Sequence, residues 1–260
     1  MKTLISIALL SAVASTAVAG VRIENTTRDI ATKVVDGAPT VTQLQDGKLR
    51  TSRGAEGGMI IVGTTITILD DKRKQYREMD KESIKKMSAK ANDAMAMMNE
   101  RMKNMTPEQR AQMEKMMGKH IPGGLTNDGK PDVWDAKDTG KSDTAEGRKC
   151  QVWTLSRNGA LLEELCVVPY KSLPGTEDLE KAFKAMADAF ADLAAAMPNA
   201  DSAVKARTNI QGYPIRTRSY NAEGKYRGTE TVLTKWSVET IPASAFQVPA
   251  GYKQAEMPKF

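Results

Sequence analysis

The segment 149-KCQVWTLSRNGALLEELCVV-168 decides the fold class, because two β-prone runs flank a turn. The runs 149–156 and 160–168 are rich in residues that favour strands. Between them stand Arg157, Asn158 and Gly159, and Asn-Gly is the strongest short-range hairpin signal. The sequence therefore predicts an antiparallel hairpin, with one cysteine near the outer end of each strand.

Cys150 and Cys166 are the two cysteines of the chain. A three-residue loop with Gly159 in the left-handed conformation would place them directly opposite each other, whereas a two-residue Asn-Gly turn would shift them one place apart. Pairing of the cysteines favours the first register. We expect a structural disulfide worth roughly 3 kcal/mol in the chain-entropy model, because the Cys-x-x-Cys spacing of a redox site is missing.

Short β-prone runs also occur on both sides of the hairpin. Before it they cover 21–25, 40–44, 48–53, 59–62, 65–69 and 75–78, and after it they cover 214–220, 227–236 and a piece around Phe246. Asp46-Gly47 and other turn signals separate successive runs. Short strands joined by tight turns predict an antiparallel meander.

A methionine-rich segment interrupts the strands. Ten of the fifteen methionines lie between positions 79 and 117, and apolar residues recur there at steps of three or four: Ile84, Met87, Ala91, Met95, Met98, Met102 and Met105. This spacing predicts an amphipathic helical insertion at about 80–120. Within it, Thr106 and Gln109 have the spacing of a capping box, which predicts that a second helix begins there.

A further helix is predicted at about 176–197, between Gly175 and Pro198. Its apolar stripe consists of Leu179, Phe183, Met186, Phe190, Leu193 and Met197. For both stripes the simplest interpretation is packing against the protein's own sheet. Methionine adapts to irregular partners, so the first stripe also suits a loosely specified apolar ligand.

The first nineteen residues have the pattern of a secretory signal peptide. Lys2 precedes an apolar run at 4–18, and Ala17-Val18-Ala19 is a small-x-small cleavage site. The residue directly after that site is Gly20 and not cysteine, so lipidation is not expected. We therefore expect residues 1–19 to be removed and residues 20–260 to form a single domain in the periplasm.

Four parts of the chain resemble an uncharacterised bacterial periplasmic family, the domain of unknown function DUF4412. They are the turn 46–50, the hairpin 69–76, the helix pair with 106–110, and the closing run 241-IPASAFQVPAGY-252. The resemblance covers nearly the whole mature chain. These pieces are turns and strand ends, so the resemblance concerns the fold.

The resemblance implies a fold similar to the outer-membrane lipoprotein carrier (LolA/LolB-like) superfamily. The expected class is α+β: a curved antiparallel sheet, or half-barrel, with amphipathic helices packed on the concave face. In such carriers the concavity holds acyl chains. A curved sheet with one apolar face needs helices to cover it, and this chain supplies two amphipathic ones.

No motif in the sequence points to catalysis. The single histidine, His120, has no second histidine to act with, and neither a Gly-x-Ser-x-Gly nor a His-Glu-x-x-His motif occurs. The net charge of +6 is spread along the chain instead of forming a basic cluster with aromatic residues. We expect a non-enzymatic protein without cofactor, metal site or nucleic-acid partner.

These observations favour a protein that binds an apolar ligand, such as a lipid, an acyl chain or a hydrophobic peptide. The predicted ligand-binding residues are Met87, Met95, Met98, Met102, Phe183, Met186 and Phe190. One alternative is Cu(I) binding by the methionine-rich segment, because thioethers are soft ligands. Another is a structural or interaction protein of the cell envelope. The positive charge also allows peripheral contact with an anionic membrane, and the oligomeric state is left open.

Overall fold

The computed structural model describes residues 19–86, 132–177, 200–221 and 226–256, with positions 89, 90, 93, 97, 100, 105, 106, 108, 109, 179 and 181 between them. The described part is mostly a large, open, curved antiparallel sheet with few helices. The predicted signal peptide lies outside the described residues except for Ala19.

Twelve strands form this sheet. They are β1 (Gly20–Asp29), β2 (Thr40–Gln45), β3 (Lys48–Arg53), β4 (Gly58–Val62), β5 (Thr65–Asp70), β6 (Gln75–Met79), β7 (Trp134–Ala145), β8 (Arg148–Arg157), β9 (Ala160–Val168), β10 (Tyr213–Tyr220), β11 (Tyr226–Glu239) and β12 (Lys253–Gln254). An α-helix spans Ala200–Thr208, and 3-10 turns span Tyr170–Ser172 and Ala243–Phe246.

The strand order is β12-β6-β5-β4-β3-β2-β1-β11-β10-β9-β8-β7. Two meanders, β1 to β6 and β7 to β11, are therefore joined side by side through the antiparallel pair β1 and β11. All neighbouring strands are antiparallel except β12, which runs parallel to β6. The predicted meander is confirmed, but the piece around Phe246 forms a 3-10 turn, so its prediction as a strand was wrong. Pro242 precedes this turn, and Phe246 is buried from it.

The hairpin of β8 and β9 is confirmed, but its predicted register was wrong. Asn158 and Gly159 both have positive φ, 52° and 80°, and form a two-residue turn. Farther from the turn, a bulge between Ser156 and Leu155 shifts the register by one residue, so that Cys166 pairs with Val152. The disulfide between Cys150 and Cys166 is present as a diagonal pair, with a Cα–Cα distance of 5.3 Å that suits such a bond.

The curvature of the sheet is visible in one contact between distant strands. Arg28 on β1 donates from Nη2 to Oε1 of Glu146, in the turn between β7 and β8, over 2.7 Å. Three strands, β11, β10 and β9, separate β1 from β8. In a flat sheet the two strands would lie roughly 19 Å apart, beyond the combined reach of these side chains. The sheet therefore curls so that the β7–β8 turn meets β1.

Both faces of the sheet carry apolar clusters. Neighbours in sequence point to opposite faces of a strand, and Ile61 belongs to the largest cluster whereas Ile60 belongs to another. We call the largest one the main cluster. The opposite face is covered at one end by the 3-10 turn around Phe246 and at the other by the 200–208 helix through Ala206. Among the described residues no helix is long and apolar enough to cross a membrane.

Local helix signals are confirmed where they fall on described residues. Thr106 and Gln109 exchange hydrogen bonds, N–H of Thr106 to Oε1 over 3.1 Å and N–H of Gln109 to Oγ1 over 3.3 Å. This is the predicted capping box. Residues 81–86 are helical, and so are positions 176, 177, 179 and 181. The predicted extents of the two helices, to about 120 and 197, lie mostly outside the described residues and stay predictions.

Candidate functional site

The main cluster is the principal apolar site of the described chain. It draws on strands from both meanders, including Val21 and Ile23 of β1, Leu44 of β2, Ile66 of β5 and Ile215 of β10, all fully buried. A continuous apolar surface therefore crosses the seam between the two meanders.

Two residues from outside the sheet complete this cluster. Ile84 and Leu179 are each 1% exposed and belong to it. They are the first members of the two apolar stripes, so both helical segments start against the same face of the sheet.

The first helical segment starts at a well-formed cap. Oδ1 of Asp80 accepts a hydrogen bond from N–H of Ser83 over 2.7 Å, as an N-cap residue does. Hydrogen bonds from the hydroxyl and N–H of Ser83 lower the pKa of Asp80. The cap fixes the direction in which the segment leaves β6 and brings Ile84 onto the main cluster.

The second helical segment starts in close contact with β1 and β11. The Nε1 of Trp236 donates to the carbonyl oxygen of Pro174 over 2.8 Å. Gly175 has φ +73°, and a Cβ there would lie 2.5 Å from Cγ2 of Val21. Only glycine permits both that conformation and that approach. The chain is thereby pinned to the sheet just before Leu179.

Aromatic side chains border the main cluster near this point. The rings of Tyr213 and Trp236 meet edge to face, with centroids 5.1 Å apart. Burial raises the pKa of Tyr213, whose hydroxyl accepts a hydrogen bond from Nδ2 of Asn25 over 3.2 Å. Tyr213 is therefore held as a neutral phenol at the edge of an apolar surface.

A charged network adjoins the main cluster at the disulfide. Asp143 stands opposite Cys150 on β8, and Arg216 stands opposite Cys166 on β9. Nη2 of Arg216 donates to Oδ2 of Asp143 over 2.6 Å, so this ion pair spans β8 and β9 beside the disulfide. The hydrogen bond from Arg216 holds the pKa of Asp143 below its ordinary value.

The network continues to β1 through Glu230, which is 2% exposed. Arg28, Lys33 and Arg218 each donate to its carboxylate, over 3.0, 3.2 and 3.3 Å. Arg218 also donates to Glu164, over 3.1 Å. The members of the charged network are Arg28, Lys33, Asp143, Glu146, Glu164, Arg216, Arg218 and Glu230.

The predicted ligand-binding residues lie outside the described residues: Met87, Met95, Met98, Met102, Phe183, Met186 and Phe190. Their roles stay predictions, as does Cu(I) binding, because His120 and the methionines that would ligate copper lie outside as well. Met97 occupies a described helical position and is 58% exposed. Within the described ranges, no group of three His, Cys, Asp or Glu side chains is placed to hold a metal ion.

Sequence reasoning missed the charged network. Arg216 and Arg218 alternate with Thr217 along β10, which by itself is the pattern of a solvent-facing strand. The only available signal was the number of charged residues on the strands of the second meander. Their burial depends on the curvature of the sheet, which no local pattern encodes.

The described geometry defines a class: an open antiparallel-sheet protein whose apolar face is bordered by a partly buried charged network. The chain belongs to the family described as Domain of unknown function (DUF4412), whose profile matches residues 72–252. No curated protein matches the sequence significantly. A solved structure titled as an uncharacterized conserved protein from Thermus thermophilus aligns with a TM-score of 0.43 at 6% identity, over 92% of this chain and 90% of that one.

Proposed function

We propose that this chain is an exported, non-enzymatic protein that binds an apolar ligand, such as a lipid, an acyl chain or a hydrophobic peptide, beside the main cluster. The observation that carries the proposal is the burial of Ile84 and Leu179 in that one cluster. Each begins an apolar stripe that continues at helical spacing along its segment. The two stripes therefore supply apolar surface in addition to the two side chains, Ile84 and Leu179, that are buried in the main cluster.

The connectivity of the sheet supports this placement. The methionine-rich segment follows β6 and precedes β7, and these strands lie near opposite edges of the sheet. A segment that starts at Ile84 on the main cluster and ends at β7 can run across that face and cover it. We therefore infer that the amphipathic helices pack on the concave face, as the resemblance to the lipoprotein carriers implies.

The ligand would be held between the sheet and these helices. We assign its contacts to the predicted residues: Met87, Met95, Met98, Met102, Phe183, Met186 and Phe190. Flexible methionine side chains can adjust to acyl chains of different shapes. The exposed Met97 adds apolar surface beyond the packing stripe, and such surface commonly marks a binding site.

Native mass spectrometry of the mature protein, purified from its own periplasm, tests the proposal. We expect a stoichiometric adduct that solvent extraction identifies as an acyl-chain compound. The variant Met98→Asp should lose the adduct, because a carboxylate is costly in an apolar site. Lys90→Asp, at an exposed helical position of the same segment, is the matched control and should keep it.

A bare mass in every preparation, together with no uptake of added lipid, would contradict ligand binding. That result would leave the helical segments as packing elements and favour an interaction protein of the envelope.

A further inference from the structure

The charged network has an uneven distribution of charge between its parts. Arg28, Lys33, Arg216 and Arg218 lie on or beside β1 and β10, with Glu164 on β9 and Glu230 on β11. At neutral pH these six side chains sum to +2. Asp143 and Glu146, at the tip of the β7–β8 hairpin, supply −2. These two carboxylates therefore neutralise the excess positive charge of a basic site.

Arg216 is the buried centre of that basic site. Its side chain is 6% exposed, and its partner Asp143 is 43% exposed. The Nε of Arg216 is buried and finds no hydrogen-bond partner among the described residues, while the nearest carboxylate oxygen, of Glu230, lies 3.9 Å away. The buried Arg216 guanidinium therefore has one N–H that makes no hydrogen bond to the described residues. Its closest partner, the Asp143 carboxylate, is accessible to solvent.

The same guanidinium adjoins the main cluster. Cys166 pairs with Arg216 across β9 and β10, so the two side chains lie on the same face of the sheet, and Cys166 is fully buried in that cluster. Ala145, two residues beyond Asp143, also belongs to the cluster. An apolar chain lying along the cluster could therefore end within reach of Arg216.

We propose that the ligand is an amphiphile with an anionic head group, a carboxylate or a phosphate monoester, which binds Arg216 in place of Asp143. This inference rests on the proposed function and names its ligand class. Arginine binds carboxylates and phosphates through paired N–H donors. The Asp143 carboxylate fills the site while no ligand is bound and rotates into solvent when the head group enters, and the disulfide at Cys150 holds the backbone beside it in place.

The experiment compares three twelve-carbon probes: dodecanoate, dodecyl phosphate and the neutral 1-dodecanol. Binding to the full mature chain is measured by calorimetry at pH 7. We expect the anionic probes to bind at least about fivefold more tightly than the alcohol, as one partly exposed ion pair provides. A preference for dodecanoate indicates a fatty-acid head group, and a preference for dodecyl phosphate indicates a phospholipid-type one.

Asp143→Asn removes the competing carboxylate, so the anionic probes should bind more tightly to it by about fivefold with no change for the alcohol. Asp135→Asn, an exposed carboxylate on the same strand, is the matched control and should leave all three affinities unchanged. Arg216→Gln should bring the anionic probes to the affinity of the alcohol. Should that variant not fold, Asp143→Asn still decides the matter.

Equal affinities for the alcohol and the anions, unchanged by Asp143→Asn, would overturn the head-group inference and leave apolar binding intact. Binding of none of the three probes would instead contradict the proposed function itself.

Discussion

At the residue scale, Glu230 links the largest number of charges in the network. Burial by itself raises the pKa of this carboxyl, but hydrogen bonds from Lys33 and Arg28 outweigh burial and lower the pKa below its ordinary value of 4.5. A carboxyl with a lowered pKa stabilises the folded state fully above its unfolded pKa. That stability is lost as the pH falls through the folded value.

We therefore expect the free energy of unfolding to fall as the pH drops below 4.5. Glu230→Gln should lower it by about 1–3 kcal/mol at pH 7, because the cations around it lose their buried partner. The variant should also lose less stability on acidification than the wild type. Urea denaturation at pH 7, 4.5 and 3.5 measures both effects, with Asp135→Asn as the control. Identical pH profiles for wild type and Glu230→Gln would contradict this role.

Residue-level features were predictable where the partners are close in sequence. Thr106 and Gln109 are three residues apart, and their mutual capping followed from the residue types alone. Arg28 and Glu230 are 202 positions apart, and Asp143 and Arg216 are 73 apart. Such pairs depend on which strands become neighbours and on how far the sheet curls.

At the element scale, the hairpin of β8 and β9 shows how far a local pattern reaches. Its strands and turn residues were predictable, because Asn158 and Gly159 readily adopt positive φ. The register was not predictable, because a bulge between Leu155 and Ser156 shifts it and no residue type in the sequence indicates that bulge. The disulfide formed nevertheless, since a diagonal pair also brings the two Cα atoms within bonding range.

Replacing both cysteines by alanine should lower the free energy of unfolding by about 3 kcal/mol, because the open chain gains conformational entropy. The loop closed by Cys150 and Cys166 spans 16 positions. Urea denaturation of the double variant measures the loss, and fully reduced wild-type protein is the control, which should match it. A loss below about 1 kcal/mol would show that the bulge and turn alone hold the register.

At the scale of the whole molecule, the antiparallel meander was predictable from strand spacing, whereas the curvature was expected only from the family resemblance. Alternating strands and turns indicate neighbours within each meander. The pairing of β1 with β11, and the contact of Arg28 with Glu146, join parts that no spacing rule relates. The predicted ligand-binding residues belong to this scale too: they lie outside the described residues, and their role stays a prediction.

The seam between β1 and β11 also determines the order in which the protein can fold. Within each meander, strands that follow one another in sequence pair, mostly as hairpins, with residues 169–212 between β9 and β10 as the long exception. The two halves join only when Val21 pairs with Val238. Contacts of such separation form slowly, because the chain must close a very long loop first. Pulse-labelling hydrogen exchange during refolding should find amides of β3, β4, β8 and β9 protected before those of β1. Until β11 has formed, the first meander must therefore expose β1 as an unpaired edge strand, whose free backbone groups can pair with another chain.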